Sequence, residues 1–188
     1  MVKKPLPTPE LLRQLLRYEP DTGKVFWKER TPDMFKSGGH TAAHICARWN
    51  AKHAGKEAFT TVGSSGYRVA NVYGWKNHAH RAIWAMAHGE WPADQIDHIN
   101  GIRDDNRIGN LRAVTRAVNQ KNLKRRSDNT SGVTGVSRRS NIDKWCAEIW
   151  SNGKKYHIGQ FDSFDDAVSA RKAAERLHGF HANHGRDG

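Results

Sequence analysis

The sequence predicts an α+β chain: mixed N-terminal α/β elements, then a strand–loop–helix segment, then a small three-stranded antiparallel sheet packed on one helix. Three observations predict it. Short alternating or β-branched runs are separated by turn residues, as in GYRVANVY before Gly74. Helix starts and stops bracket other segments, such as Thr8-Pro9-Glu10 at one end and Gly89 at another. A polar, turn-forming stretch, SDNTSG at 127–132, separates the last three strands and a helix from everything before them.

Taken in order, Thr8-Pro9-Glu10 is an N-cap, a proline at the first helical position and an acid in the first turn. LLRQLLRY follows, with Leu11, Leu12, Leu15 and Leu16 on one face. Asp21-Thr22-Gly23 is a turn and KVFWKE a short strand. Gly66 to Tyr73 and Lys76 to Ala79 form a hairpin around Gly74-Trp75. HRAIWAMA (80–87) is a helix that Gly89 stops. Ile96 begins a strand, Asn100-Gly101 turns it, and Thr115 caps a helix through RAVNQKNLKRR. Beyond the linker, 133–139, 145–150 and 154–161 read as strands, and Ser163 or Asp165 opens a helix with Ala167, Ala170, Ala174 and Leu177 toward the sheet. The domains expected are an N-terminal α+β region (1–79), a central motif (80–126), the linker (127–132), a C-terminal module (133–180) and a tail (181–188).

Thirty-one Lys and Arg against nineteen Asp and Glu give a net charge of +12. A surplus of this size points to a polyanionic partner, DNA or RNA first. Two distant cysteines, Cys46 and Cys146, exclude a zinc ribbon and a disulfide framework. MVKKPLPTPELL lacks the apolar core of a signal peptide, and no apolar run spans a membrane. The expectation is a soluble protein of a reducing cytoplasm.

The chemistry concentrates in QIDHINGIRDDNRIGNLRAVTRAVNQKNLKRR, 95–126. Asp97 and His98 are adjacent, Asn110 follows His98 by twelve residues, and Asn119 follows Asn110 by nine. Phosphodiester hydrolysis requires a proton acceptor for water and a counter-charge for the phosphorus and the leaving oxygen. A neutral histidine supplies the first and a divalent cation the rest. Strand neighbours face opposite sides, so Asp97 can share a metal with Asn119 while His98 faces substrate. Two oxygen donors favour Mg²⁺ or Mn²⁺ over zinc. Asp104 and Asp105 are rival acids, and the arginines beside them suggest solvated ion pairs. His80 either reaches phosphate or starts a packed helix.

DHINGIRDDNRIGNL with Asn119 resembles the HNH nuclease motif, the ββα-metal site, in the phage and homing-endonuclease flavour whose last histidine is asparagine. HRAIWAMAHGEWPADQIDHING is similar to the segment leading into that motif. The resemblance implies a ββα-metal core, Asp97 and Asn119 as metal ligands, His98 as general base, and Asn110 as the residue that braces the loop and orients His98 by hydrogen bonding. It implies products with 5′-phosphate and 3′-hydroxyl. One site nicks one strand, so a double break needs a dimer, a partner protein or two events. Packaging or recombination is an alternative to homing, and a DNA-binding regulator with an inert nuclease fold is the rival reading.

HTAAHICARWNAKH (40–53) carries His40, His44, Cys46 and His53, where the i, i+4 histidine pair is a zinc alternative. Cys46 projects away from that pair, and Ile45 and Trp49 want an apolar face, so a packed amphipathic helix is expected. Relatives of the phage group carry a similar WN…AGK stretch.

In the C-terminal module, Trp145, Ala147, Ile149, Tyr156 and Ile158 suit the cover helix. Glu148, Trp150, Lys155 and His157 then share the other face with Arg139, a surface suited to double-stranded DNA. GVTGVSRRSNIDKWCAEIWSNGKKYHIGQFDSFDDAVSARKAAERLHG resembles the DNA-binding domain of plant AP-two/ethylene-response factors. The resemblance implies Arg139, Glu148 and Lys155 as DNA contacts. Thr134, Ser137 and Trp150 stand where that family has arginine, and His157 where it has tryptophan, so its target sequence does not transfer. Arg138, Trp150 and His157 complete the candidate contacts, and Lys121, Lys124, Arg125 and Arg126 are placed to track phosphates between the two modules.

Overall fold

Leu15 is the last helical residue of the first element because Leu16 turns to extended backbone and pairs with another strand. The computed structural model describes residues 5–187. Helix α1 (Pro9–Leu15) starts on Thr8, whose hydroxyl accepts from Leu11 N–H. Strand β1 (Leu16–Glu19) then pairs antiparallel with β2 (Lys24–Trp27), Leu16 opposite Trp27. The sequence read helix through Tyr18. Instead the chain extends, which buries Leu16 and carries the Tyr18 hydroxyl to a distant loop.

The chain forms two compact units, one ending at Ala113 and the other beginning at Val114. In the first unit, α2 (Ala42–His53) is followed by the sheet β3 (Thr61–Val62), β4 (Arg68–Val72) and β5 (Trp75–His78), all antiparallel. Helix α3 (Ala79–His88) begins directly after β5 and ends at Gly89. Its Ala79, Ala82, Ile83, Ala85 and Met86 face inward, an i, i+3, i+4 stripe packed against Leu12, Leu15 and Leu16. This core also holds Val25, Val72, Ile96 and Leu111. It therefore fixes the two strands β6 (Gln95–His98) and β7 (Leu111–Val114), which pair as a two-stranded sheet and flank the loop of interest.

The second unit opens with α4 (Arg116–Gln120), capped by the Thr115 hydroxyl on Val118 N–H. The sequence extended this helix to Arg126, but it lasts five residues. The reason is competition for backbone groups. Lys121 C=O accepts from His181 N–H, Leu123 C=O from Gly185 N–H, and Arg125 N–H donates to Arg186 C=O. The basic run is laid along the C-terminal segment instead of coiling on itself.

Strands β8 (Val136–Arg139), β9 (Lys144–Ser151) and β10 (Lys154–Phe161) form an antiparallel sheet in the order β10-β9-β8, covered by α5 (Phe164–Leu177). Asn152-Gly153 joins β9 to β10 with both residues at positive φ, as a two-residue hairpin of this twist requires. Val136, Ala147 and Ala167 form the small core, and Trp145 packs on Phe164. The expected cover face of the helix differs in part. Leu177 is exposed, whereas Arg171 and Glu175 follow Ala167 in four-residue steps onto the sheet side, where they form a buried ion pair at 3.2 Å.

Ile83 is fully buried at the centre of the larger core. Ile83→Ala is expected to cost about 2–5 kcal/mol, read as a lowered midpoint in urea unfolding with little change in slope.

Candidate functional site

Strand β6 carries Asp97 and His98 side by side, and both are buried, at 7% and 3% exposure. Alternation sends them to different partners. Asp97 Oδ2 accepts from Arg112 Nε at 2.9 Å and Nη2 at 2.7 Å, a pair across to β7. His98 Nε2 lies 3.1 Å from Asn106 Oδ1. An amide oxygen only accepts, so Nε2 carries the hydrogen and the basic lone pair belongs to Nδ1. Burial holds the His98 pKa below its ordinary value, against the opposing pull of Asn106 and Asp97. The imidazole is thus neutral at pH 7.

The loop from 99 to 110 is closed at its mouth and braced inside. Ile99 N–H donates to Asn110 C=O at 2.9 Å, and Asn100 N–H donates to Asn110 Oδ1 at 3.0 Å. Asn110 Nδ2 donates to Asn100 Oδ1 and to Asp105 C=O. Asn110 thus binds the loop to itself, while the residue on the His98 ring is Asn106. Asp105 pairs with neighbouring Arg107, and this holds its carboxyl down to about 2. It also accepts from Asn100 Nδ2 at 2.7 Å, so it belongs to the brace. Asp104 pairs not with a flanking arginine but with Arg68 on β4, which lowers its pKa.

The loop is anchored from outside by Tyr18. Its hydroxyl donates to Asn106 C=O at 3.1 Å and accepts from Ile108 N–H at 2.8 Å. Burial raises the phenol pKa, which keeps the donating proton in place. Gly23 makes a second approach: a Cβ there would stand 2.6 Å from Arg107 N and 2.8 Å from Asn106 C.

Aromatic rings surround His98. Tyr67 stacks at 5.7 Å, and His80 meets it edge-on at 5.3 Å. His78 stacks on His80 at 5.4 Å. His80 is buried at the start of α3, and burial pushes its pKa down to about 3. Asn106, Tyr18, Tyr67 and Arg112 escaped the sequence reading. Asn106 stood among several loop asparagines with nothing in the spacing to single it out.

Asp97 and Asn119 each carry a side-chain oxygen of the type that hard divalent cations take as a ligand. Among the described residues, no group of three or more His, Cys, Asp or Glu is arranged to hold a metal ion. Arg112 already engages one Asp97 oxygen. Asn119 lies on α4 in the second unit. On α2, Cys46 is buried and donates to Arg30 C=O, while His53 stacks on Trp49 at 5.0 Å, and the exposed His40 and His44 rings pair separately at 4.7 Å.

In the second unit, Glu148 gathers three candidate contacts. Lys155 Nζ stands 2.7 Å from it, Arg139 Nη2 3.3 Å and His157 Nδ1 3.9 Å. Trp150, opposite Lys155, is exposed. Arg138 faces the Trp145 side and pairs with Asp143. Lys121 Nζ donates to His178 C=O, Arg125 pairs with Asp187, Arg126 pairs with Asp128, and Lys124 is exposed.

Residues 77–121 match the family model described as HNH endonuclease, a segment that runs from the end of β5 through α3, β6, the braced loop, β7 and α4. The chain is 29% identical over 101 residues to Protein 3.8 of Escherichia phage T7, a match that takes in 53% of this chain and 84% of that protein. No solved structure matches significantly. No helix among the described residues is long and apolar enough to cross a membrane.

The buried histidines set an acid sensitivity. His80 has a folded pKa of about 3 and His184, in the second unit, of about 4, both below the unfolded value. Each contributes stability that is present above about pH 6.5 and lost as pH falls toward the folded pKa. Asp105 acts only at lower pH, since its contribution is lost below the ordinary carboxylate range. Urea midpoints are therefore expected to fall between pH 7 and pH 5, and less steeply in His80→Phe.

Proposed function

We propose that this chain is a metal-dependent HNH DNA endonuclease, targeted by a C-terminal DNA-binding module. The observation that carries this reading is His98: neutral, buried, held through Nε2 by Asn106, and set beside Asp97 within the 77–121 match. Such an imidazole accepts a proton from water at Nδ1 as the oxygen attacks phosphorus. Asp97 and Asn119 would hold Mg²⁺ or Mn²⁺. Such an ion, when bound, would supply counter-charge for the phosphate and the leaving oxygen. Asn110 and Asp105 keep the loop closed, Asn106 fixes the ring, and Tyr67 and His80 limit its rotation.

Double-stranded DNA is the substrate in this reading. The net charge of +12 supports it, as does the exposed face of Arg139, Trp150, Lys155 and His157 around Glu148. Lys124 and the neighbouring basic residues contact phosphate. Residues 133–180 act as an AP-two/ethylene-response-factor-like reader. One site cuts one strand, and a dimer or a phage partner protein provides the second cut. A phage or homing role follows the resemblance of the site and the similarity to Protein 3.8. The second reading, a DNA-binding protein without cleavage, draws on the Arg112 guanidinium that engages Asp97.

A supercoiled-plasmid assay separates the two. Cleavage is expected with Mg²⁺ or Mn²⁺ and not with EDTA, and His98→Ala is expected to slow it by about 10²-fold or more. Equal metal-dependent cleavage by His98→Ala would remove His98 from the mechanism, and no cleavage by the wild type would favour the second reading. Separately, Arg139→Ala and Lys155→Ala are each expected to weaken duplex binding. A phosphate contact at either residue would lower the salt slope of log K by about 1, measured by fluorescence anisotropy across a salt series.

A further inference from the structure

We propose that the second unit holds a pocket for one unstacked nucleobase, an inference that rests on reading this unit as a DNA-binding module. A cavity of about 470 Å³ opens at the hairpin end of the β9–β10 pair. Leu123, Trp150 and Phe180 give it apolar walls. Apart from Arg171, whose Nε is taken up by the ion pair with Glu175, three lining residues carry a buried polar atom with no hydrogen-bond partner: Thr134 Oγ1, Ser151 Oγ and His184 Nδ1. Ser151 and His184 are 4% and 8% exposed. Buried polar groups are nearly always satisfied, so three orphans around one cavity point to a ligand with a hydrogen-bonding edge.

The chemistry of that edge can be read. Arg171 Nη2 faces His184 Nε2 at 3.4 Å, and a guanidinium only donates. Nε2 is therefore the acceptor, and Nδ1 carries the proton. The pocket thus presents one fixed donor, Nδ1–H, and two hydroxyls that donate or accept. An aliphatic ligand would leave all three unsatisfied. A bare phosphate would gain nothing from Leu123, Trp150 and Phe180. A nucleobase has two apolar faces and a polar edge, which meets both demands. Lys121 Nζ and the Arg171 guanidinium lie 5.7 and 5.5 Å from the Phe180 ring, so cations flank the wall where the attached phosphates would run. Trp150, 64% exposed, stands at the mouth, where a stacking ring compensates a base for leaving its neighbours.

The test uses the full chain in EDTA, titrated with a mixed-sequence single-stranded 12-mer, the same strand built on abasic sites, the corresponding duplex, and free deoxynucleoside monophosphates. The single strand is expected to bind, and the abasic strand about tenfold or more weaker. Thr134→Val keeps the side chain's shape and removes one orphaned hydroxyl, and Ser151→Ala removes the other. Each is expected to hold or raise Tm and to weaken single-strand binding about fivefold. Saturable binding of a free monophosphate assigns the pocket to nucleotides in solution, and binding of the strand alone assigns it to a base presented by DNA. Both outcomes support the pocket. Wild-type affinity in both variants, or equal binding of the abasic strand, overturns it. Duplex binding retained in that case leaves the DNA-binding reading standing, whereas no binding of any nucleic acid removes both.

Discussion

One hydroxyl group holds the first unit's chemistry in place. Tyr18 reaches from β1 to the far loop and closes it with two bonds, one to Asn106 C=O and one from Ile108 N–H. Asn106 then has a fixed backbone from which its side chain meets His98. The imidazole's tautomer, and with it the nitrogen that can take a proton, follows from that contact. The hairpin that carries Tyr18 is in turn held by Leu12, Leu15, Leu16 and Val25 in the same core as Ile83 and Ile96. Apolar packing far from the imidazole thereby sets the orientation of its ring. Polar asparagine loops are otherwise mobile, and this one is tied at both ends and in the middle.

Charge in this molecule is organised more tightly than a net value suggests. Arg68, Arg107, Arg112, Arg126 and Arg138 each have a carboxylate partner. Most of these pairs are exposed and contribute little to stability, but they fix where a guanidinium points. Arg112 on buried Asp97 is different, because loss of the guanidinium would leave a desolvated carboxylate. Glu148 does related work on the sheet, drawing Lys155, Arg139 and His157 to one spot. Spread flexible cations would bind any polyanion. Cations gathered around one acid present a shaped surface, which is a condition for reading bases as well as gripping phosphates.

The sequence made the elements legible where local chemistry decides them: the caps at Thr8, Thr115 and Ser163, and the stop at Gly89. It was less legible where distant partners decide. α1 ends early because Leu16 finds a strand partner, and α4 ends early because the C-terminal segment takes the backbone groups of the basic run. Spacing drew attention to Asp97, His98 and Asn110. It could not choose Asn106 among three loop asparagines, since that choice depends on Tyr18, 88 residues earlier. The buried Arg171–Glu175 pair was hidden for the same reason: an Ala-rich helix has more than one face that could be inward.

The pairing of residues 121–125 with 181–186 also bears on the order of events during synthesis. The first unit ends at Ala113, so its elements can emerge and fold before those of the second. The second unit begins with a segment whose backbone partners, at 181–186, follow all three of its strands and α5. The three strands and α5 do not use these bonds, but the run from Lys121 to Arg125 completes its backbone pairing only once Arg186 is available. Until then a cationic segment on a nascent chain lacks these partners and is open to premature capture by nucleic acid or by a chaperone.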